Sequence, residues 1–135
     1  MYNNIERMGG KNKQIIGGLG IIALYKTIVS RNYSKKNINN NINDLAVHLT
    51  SVDAKVYTAC WCHACDKQKA LFNNTLSSLN VIECSGKCPN SNEDLCTKIK
   101  AYPTWEINGK LKSGVKSLNN LARVSGYTGR RNWKY

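Results

Sequence analysis

Two cysteines three positions apart, Cys62 and Cys65, stand where a β-patterned stretch gives way to an amphipathic one, and this junction constrains the chain more than anything else in it. The surrounding residues, TACWCHACDK at 58–67, put three cysteines, a tryptophan and a histidine into six consecutive positions. Upstream, Ala54–Ala59 reads as a short strand. Downstream, Cys65, Phe72, Leu76 and Leu79 fall on one face of a helix that starts near Cys62, so Cys65 is expected to be buried with that face.

At the first turn of such a helix, unpaired backbone N–H groups and the helix dipole favour a thiolate. Cys62 is therefore the expected nucleophile, and Cys65 the sulfur that resolves a mixed disulfide from inside. A purely structural disulfide between them would close too short a loop to restrict the unfolded chain much. His63 is a candidate for tuning the pair, or a surface histidine facing solvent. Trp61 is a candidate apolar cap for substrates, or a packing residue.

The chief competing chemistry is metal binding. Cys62, Cys65, Cys84 and Cys88 read as C-x2-C-x18-C-x3-C, close to zinc-ribbon spacing. Against it, the first pair opens a helix, the second lacks a hairpin pattern, and two of the six cysteines are left over. No metal is expected.

The remaining elements follow from local signals. Val81 and Ile82 suggest a second strand. Ser91-Asn92-Glu93-Asp94 is a capping pattern for a helix carrying Leu95 and Ile99, with Lys98 and Lys100 at its end. Asn108-Gly109 between Thr104–Ile107 and Lys110–Lys112 predicts a hairpin. Ser117 caps a last helix bearing Leu118, Leu121 and Ala122, and Gly126 stops it. With Leu45, Ala46 and Leu49 at helical spacing before the first strand, the order is helix, strand, helix, strand, helix, hairpin, helix. The expected fold class is α/β: a βαβ half and a ββα half around a small mixed sheet, a thioredoxin-like sandwich with an N-terminal hydrophobic segment.

The 135 residues suffice for one domain, taken as 44–129. Before it come a basic N-terminus (1–13), a hydrophobic segment (14–29) and an Asn-rich stretch (30–43) that reads as a flexible linker; a basic tail (130–135) follows. The apolar run Ile15–Tyr25, with lysines on both sides and no convincing cleavage site after it, is expected to act as a short uncleaved signal anchor. The net charge of +12 lies mostly on the flanks: +6 in residues 1–43, +3 in the domain and +3 in the last six residues. Nucleic-acid binding wants a basic stripe on a folded face, so none is expected.

Three stretches, DLAVHLTSVDAKVYTACWCHACDKQKALF, ECSGKCPNSNEDLC and YPTWEINGKLKSGVKSLNNLARVSGY, together resemble the thioredoxin-like domain fused to bacterial and plant homologues of vitamin K epoxide reductase. The resemblance covers about residues 44–127. It implies a thiol-disulfide oxidoreductase, without a bound cofactor, that takes electrons from cysteines of folding proteins and passes them to a membrane-embedded, quinone-reducing partner. It carries over Cys62 and Cys65 as the redox pair, Pro103 as a cis-proline beside it, and Cys84–Cys96 as a structural disulfide. Cys60 and Cys88 are then extras: Cys60 is expected as a buried strand thiol, and Cys88 as a competitor of Cys96 for Cys84.

The sequence departs from the family pattern in three places. The usual Pro-His between the redox cysteines is replaced by His63-Ala64, which leaves the potential and the direction of electron flow open between oxidant and reductase or isomerase. A zinc-bound or redox-silent interaction module is the alternative from outside enzymology. The four-helix membrane domain of fused members has no counterpart in these residues, so the electron acceptor is expected to be a separate molecule. Val56 stands where many thioredoxins keep a buried acid. A structural disulfide and an anchor together point to a single-pass, membrane-anchored protein with its domain in an oxidising compartment such as a lumen, periplasm or the exterior.

Overall fold

The computed structural model describes residues 19–73 and 76–133, and of residues 19–22 and 33–37 the backbone alone. The chain separates into two compact units, divided between Lys36 and Asn37. Helix α1, Leu19–Ser51, runs through that division.

In the second unit, β1 (Lys55–Thr58) leads to α2 (His63–Ala70), then β2 (Asn80–Glu83), β3 (Thr104–Ile107), β4 (Lys110–Ser113) and α3 (Leu118–Ser125). The sheet order is β2-β1-β3-β4. Strand β1 pairs parallel with β2 and antiparallel with β3, and β3 pairs antiparallel with β4. This is the mixed α/β arrangement expected of a thioredoxin-like fold.

Because side chains alternate along a strand, the sheet has two different faces. Val56 lies opposite Trp105, and with Ile107 they form the face that packs against the helices. Ile42, Leu45, Ala46 and Leu49 come from α1, Leu118, Leu121 and Ala122 from α3, and Phe72 from just beyond α2. The other face carries Tyr57 and Ile82 and is covered by Cys84, Cys96, Ile99 and Tyr102.

The local signals that held are those whose geometry is set by a few residues. Asn108 and Gly109 both take positive φ, 52° and 71°, as a two-residue hairpin turn demands. The Ser117 hydroxyl accepts from Asn120 N at the start of α3, and Gly126 ends it at φ 75°.

Four expectations are corrected. The Asn-rich linker of 30–43 is helical and part of α1. Ile38, Ile42, Leu45 and Leu49 are spaced by four, three and four residues, a continuous stripe that packs into the core, so the compact unit begins at Asn37 and not at 44. The helix expected after Ser91 is a single 3-10 turn, Glu93–Cys96. Its apolar pair splits, since Leu95 is 60% exposed while Ile99 packs inward, and Cys96 is tied to Cys84. Helix α2 ends at Ala70, so Leu76 and Leu79 do not extend its stripe as expected. Within the basic tail, Trp133 is buried against Tyr127, and its indole N–H donates to Asn119 Oδ1 at 2.8 Å.

The basic N-terminus and the start of the hydrophobic segment, residues 1–18, lie outside the described residues, as do residues 134 and 135 of the tail. Among the described residues no helix is long and apolar enough to cross a membrane.

Candidate redox site

Strand β1 ends at Thr58, and the chain turns through Ala59–Cys62 with Cys62 N donating to Ala59 O at 3.0 Å. The turn delivers Cys62 to the N-cap of α2 in extended conformation, φ −90° and ψ 106°. An N-cap side chain accepts from backbone N–H groups of the first turn, and here the Cys62 sulfur accepts from Cys65 N at 3.2 Å.

Cys62 and Cys65 are both free thiols. Their sulfurs lie 2.7 Å apart, with the Cys65 S–H donating to Cys62 Sγ. Two donors therefore converge on the Cys62 sulfur. Cys65 is fully buried. Burial pushes its thiol up to about 12, and the hydrogen bond it gives to Cys62 adds to the shift.

The two sulfurs pack with Ala59, and Ala64 and Tyr102 lie against that cluster. Trp61 is exposed on the rim, its ring edge-on to Tyr102 with centroids 6.0 Å apart and its indole N–H donating to Ser85 Oγ at 3.0 Å. The Tyr102–Pro103 bond is cis, and buried Pro103 accepts from Gly114 N through its carbonyl at 2.7 Å. His63 opens α2 but points outward, its side chain 98% exposed and 4.0 Å from Asp66 Oδ2. Of the two readings of His63, the solvent-facing one describes its position.

The remaining four cysteines are paired. Cys84–Cys96 is a disulfide, the pairing that the family resemblance implies, with both residues buried beneath Tyr57. Cys60–Cys88 is a second disulfide, which corrects the expectation for both residues. Cys60 lies beyond the end of β1 on the exposed turn and is not a buried strand thiol; Cys88 does not compete for Cys84. Since Cys84 and Cys88 are consumed in separate disulfides, the four-cysteine zinc set is dismantled.

Sequence reasoning passed over one residue that fixes the site. Gln68, 2% exposed, follows Cys65 by one helical turn. Its Oε1 accepts from Trp105 Nε1 at 3.1 Å and from Lys116 N at 2.6 Å, and its Nε2 donates to Lys116 O at 3.0 Å. It binds α2 to β3 and to the segment before α3. The available signal was its place between Cys65 and Phe72 on one helix face. The Cys60–Cys88 bond was reachable by elimination, as the two cysteines left once the redox pair and Cys84–Cys96 are set aside.

No family model matches the chain. Over 90 residues the chain is 36% identical to a thiol-disulfide oxidoreductase, LTO1, of Arabidopsis thaliana, a match that takes in 62% of this chain and 24% of that protein. The chain thus spans about a quarter of the length of the curated relative it matches.

Proposed function

We propose that the chain is a protein thiol-disulfide oxidoreductase in which Cys62 exchanges disulfides with protein thiols and Cys65 resolves them. The observation that carries this reading is the pair of free thiols 2.7 Å apart at the start of α2, one receiving two hydrogen-bond donors and the other fully buried. The 36% identity to a thiol-disulfide oxidoreductase supports it independently.

In the oxidising direction, a substrate thiolate attacks Cys62 of the Cys62–Cys65 disulfide and Cys65 leaves. A second substrate thiolate then attacks the substrate sulfur of the mixed disulfide and expels Cys62. The substrate gains a disulfide, and two electrons stay in the pair. Both cysteines are buried, but Cys62 keeps 8% exposure and Cys65 none, so Cys62 is the sulfur assigned to meet substrate and Cys65 the one assigned to resolve. Trp61 and Tyr102 supply an aromatic rim for an unfolded chain to lie against. Pro103 shapes the loop behind that rim, while Ala64, packed against the two sulfurs, is the part of the intervening dipeptide placed to tune the pair's potential.

The same proposal assigns the oxidant's direction, with electrons leaving to a separate membrane-embedded, quinone-linked partner and residues 14–29 as the anchor. The disulfides Cys84–Cys96 and Cys60–Cys88 support an oxidising compartment. The apolar run Ile15–Tyr25 supports the anchor.

The test is a trap. A Cys65→Ala protein, challenged with a reduced unfolded substrate and an oxidant, should accumulate a mixed disulfide through Cys62, identified by peptide mapping. Absence of any adduct on Cys62, with the fold intact, rejects the reading.

A further inference from the structure

The two disulfides differ in a way that separates their tasks. Cys84 and Cys96 are both buried inside an apolar cluster, whereas in the second bond Cys88 is buried but Cys60 is exposed and belongs to the same turn as Cys62. Buried disulfides resist reduction, and exposed ones are the labile or catalytic kind.

The Cys60–Cys88 bond is also not what holds its loop. The segment after β2 is fixed by Cys84 N to Thr58 O at 2.9 Å, by Cys88 N to Ser85 O at 2.8 Å, by Asn92 N to Glu83 O at 2.7 Å, and by the Trp61–Ser85 hydrogen bond at 3.0 Å. None of those contacts runs through the bond.

Two residues span at most roughly 7 Å of chain, and the turn at Ala59–Cys62 keeps the Cα atoms of Cys60 and Cys62 within that distance, near the range a disulfide bridges. Cys88 Sγ accepts a hydrogen bond from Cys60 N at 3.2 Å. A sulfur that already holds an N–H donor is the better leaving thiolate, so attack is directed to Cys60 Sγ with Cys88 departing.

We propose that Cys60–Cys88 is a second exchangeable disulfide that relays electrons to and from the Cys62–Cys65 pair, an inference that rests on Cys62 being the nucleophile. The Cys62 thiolate attacks Cys60 Sγ, forming the Cys62–Cys60 bond, breaking Cys60–Cys88 and releasing the Cys88 thiolate, which takes up a proton. Deprotonated Cys65 then attacks Cys62 Sγ, forming Cys62–Cys65 and releasing Cys60 as a thiolate that is protonated in turn. Two electrons and two protons have moved from the Cys62–Cys65 dithiol to Cys60 and Cys88. The step is reversible and needs no outside oxidant. Through it the active pair communicates with a disulfide that reaches the surface at Cys60.

The full chain carrying Cys65→Ala tests this, because the first exchange then stops at the Cys62–Cys60 bond. Trypsin without reduction cuts out fragment 56–67 and fragment 88–98, the latter held to 70–87 by Cys84–Cys96, and an intact Cys60–Cys88 bond keeps 56–67 joined to them. After an acid quench and labelling with N-ethylmaleimide, the relay predicts loss of that linkage in a fraction of molecules, with label on Cys88 and fragment 56–67 carrying an internal disulfide. A Cys62→Ala/Cys65→Ala protein should retain the linkage fully. Complete retention in Cys65→Ala, with all label on Cys62, overturns the relay. In that case a mixed disulfide between Cys62 and oxidised glutathione, formed by the same protein, shows that the oxidoreductase reading survives; its absence removes both.

Discussion

Replacing Gln68 by leucine keeps the approximate size of the side chain and removes all three hydrogen bonds that tie α2 to the rest of the domain. The largest penalty falls on Trp105, which is 1% exposed and cannot turn its indole N–H to water. A buried donor left without a partner costs about 1–3 kcal/mol. Lys116 is half-buried, so water can replace the bonds to its N–H and carbonyl, each worth about 0.5–1.5 kcal/mol. Allowing for the apolar area that leucine buries in exchange, the expected loss is roughly 2–5 kcal/mol. At a urea dependence of about 1–3 kcal/mol per molar, the unfolding midpoint should fall by roughly 0.7–5 M, read by far-UV circular dichroism. A double-mutant cycle with Trp105→Phe isolates the orphaned donor, since Gln68→Leu should cost less where no indole N–H remains. An unchanged midpoint, or strict additivity of the two substitutions, refutes the clamp.

Three further outcomes follow from the same geometry. Cys65 in the folded dithiol protein holds its proton to about 12, against an ordinary value of 9.0, so the unfolded chain binds fewer protons between those limits and stability falls as pH rises through that window. Relative to Cys65→Ala, the reduced protein should therefore lose stability from pH 9 to 12 by at most about 1.4 kcal/mol per pH unit; Tyr57, also held up to about 12 by burial and then by Glu106, cancels in the comparison, and a constant difference contradicts the assignment. Removing Cys84–Cys96 by a double serine substitution releases a loop spanning 12 positions and should cost about 3 kcal/mol in chemical denaturation. Ile42→Ala should cost about 2–5 kcal/mol if the Asn-rich stretch is core helix, whereas a true linker would lose almost nothing.

The contrast between what the sequence disclosed and what it withheld has a physical origin. Asn108-Gly109, Ser117 and Gly126 act through a few dihedrals and one or two hydrogen bonds, so their consequences are local and readable. Cys62 and Cys65 are legible for the same reason, as a helix N-cap and the residue one turn beyond it. The Asn-rich part of α1 was obscured because composition suggested a linker while the sparse stripe of Ile38, Ile42 and Leu45 decided the outcome: in a helix, packing outweighs weak propensity. The Cys60–Cys88 pairing and the three hydrogen bonds of Gln68 join residues 28 to 48 positions apart, and nothing local marks them. The short 3-10 turn at Glu93–Cys96 carries a genuine helix signature, overridden where Cys96 is drawn to Cys84.

The proposed function makes Cys62 and Cys65 a redox pair poised as an oxidant. Equilibrating the protein in a series of glutathione buffers, quenching with acid and mapping each thiol tests it most directly. The expected result is a reversible two-electron conversion of Cys62 and Cys65 between dithiol and disulfide, with Cys84–Cys96 unchanged throughout and a midpoint in the range of oxidants and isomerases, about −180 mV or higher. A midpoint near about −270 mV would contradict the oxidant's direction. Failure of the pair to form a disulfide at any poise would contradict the redox site itself.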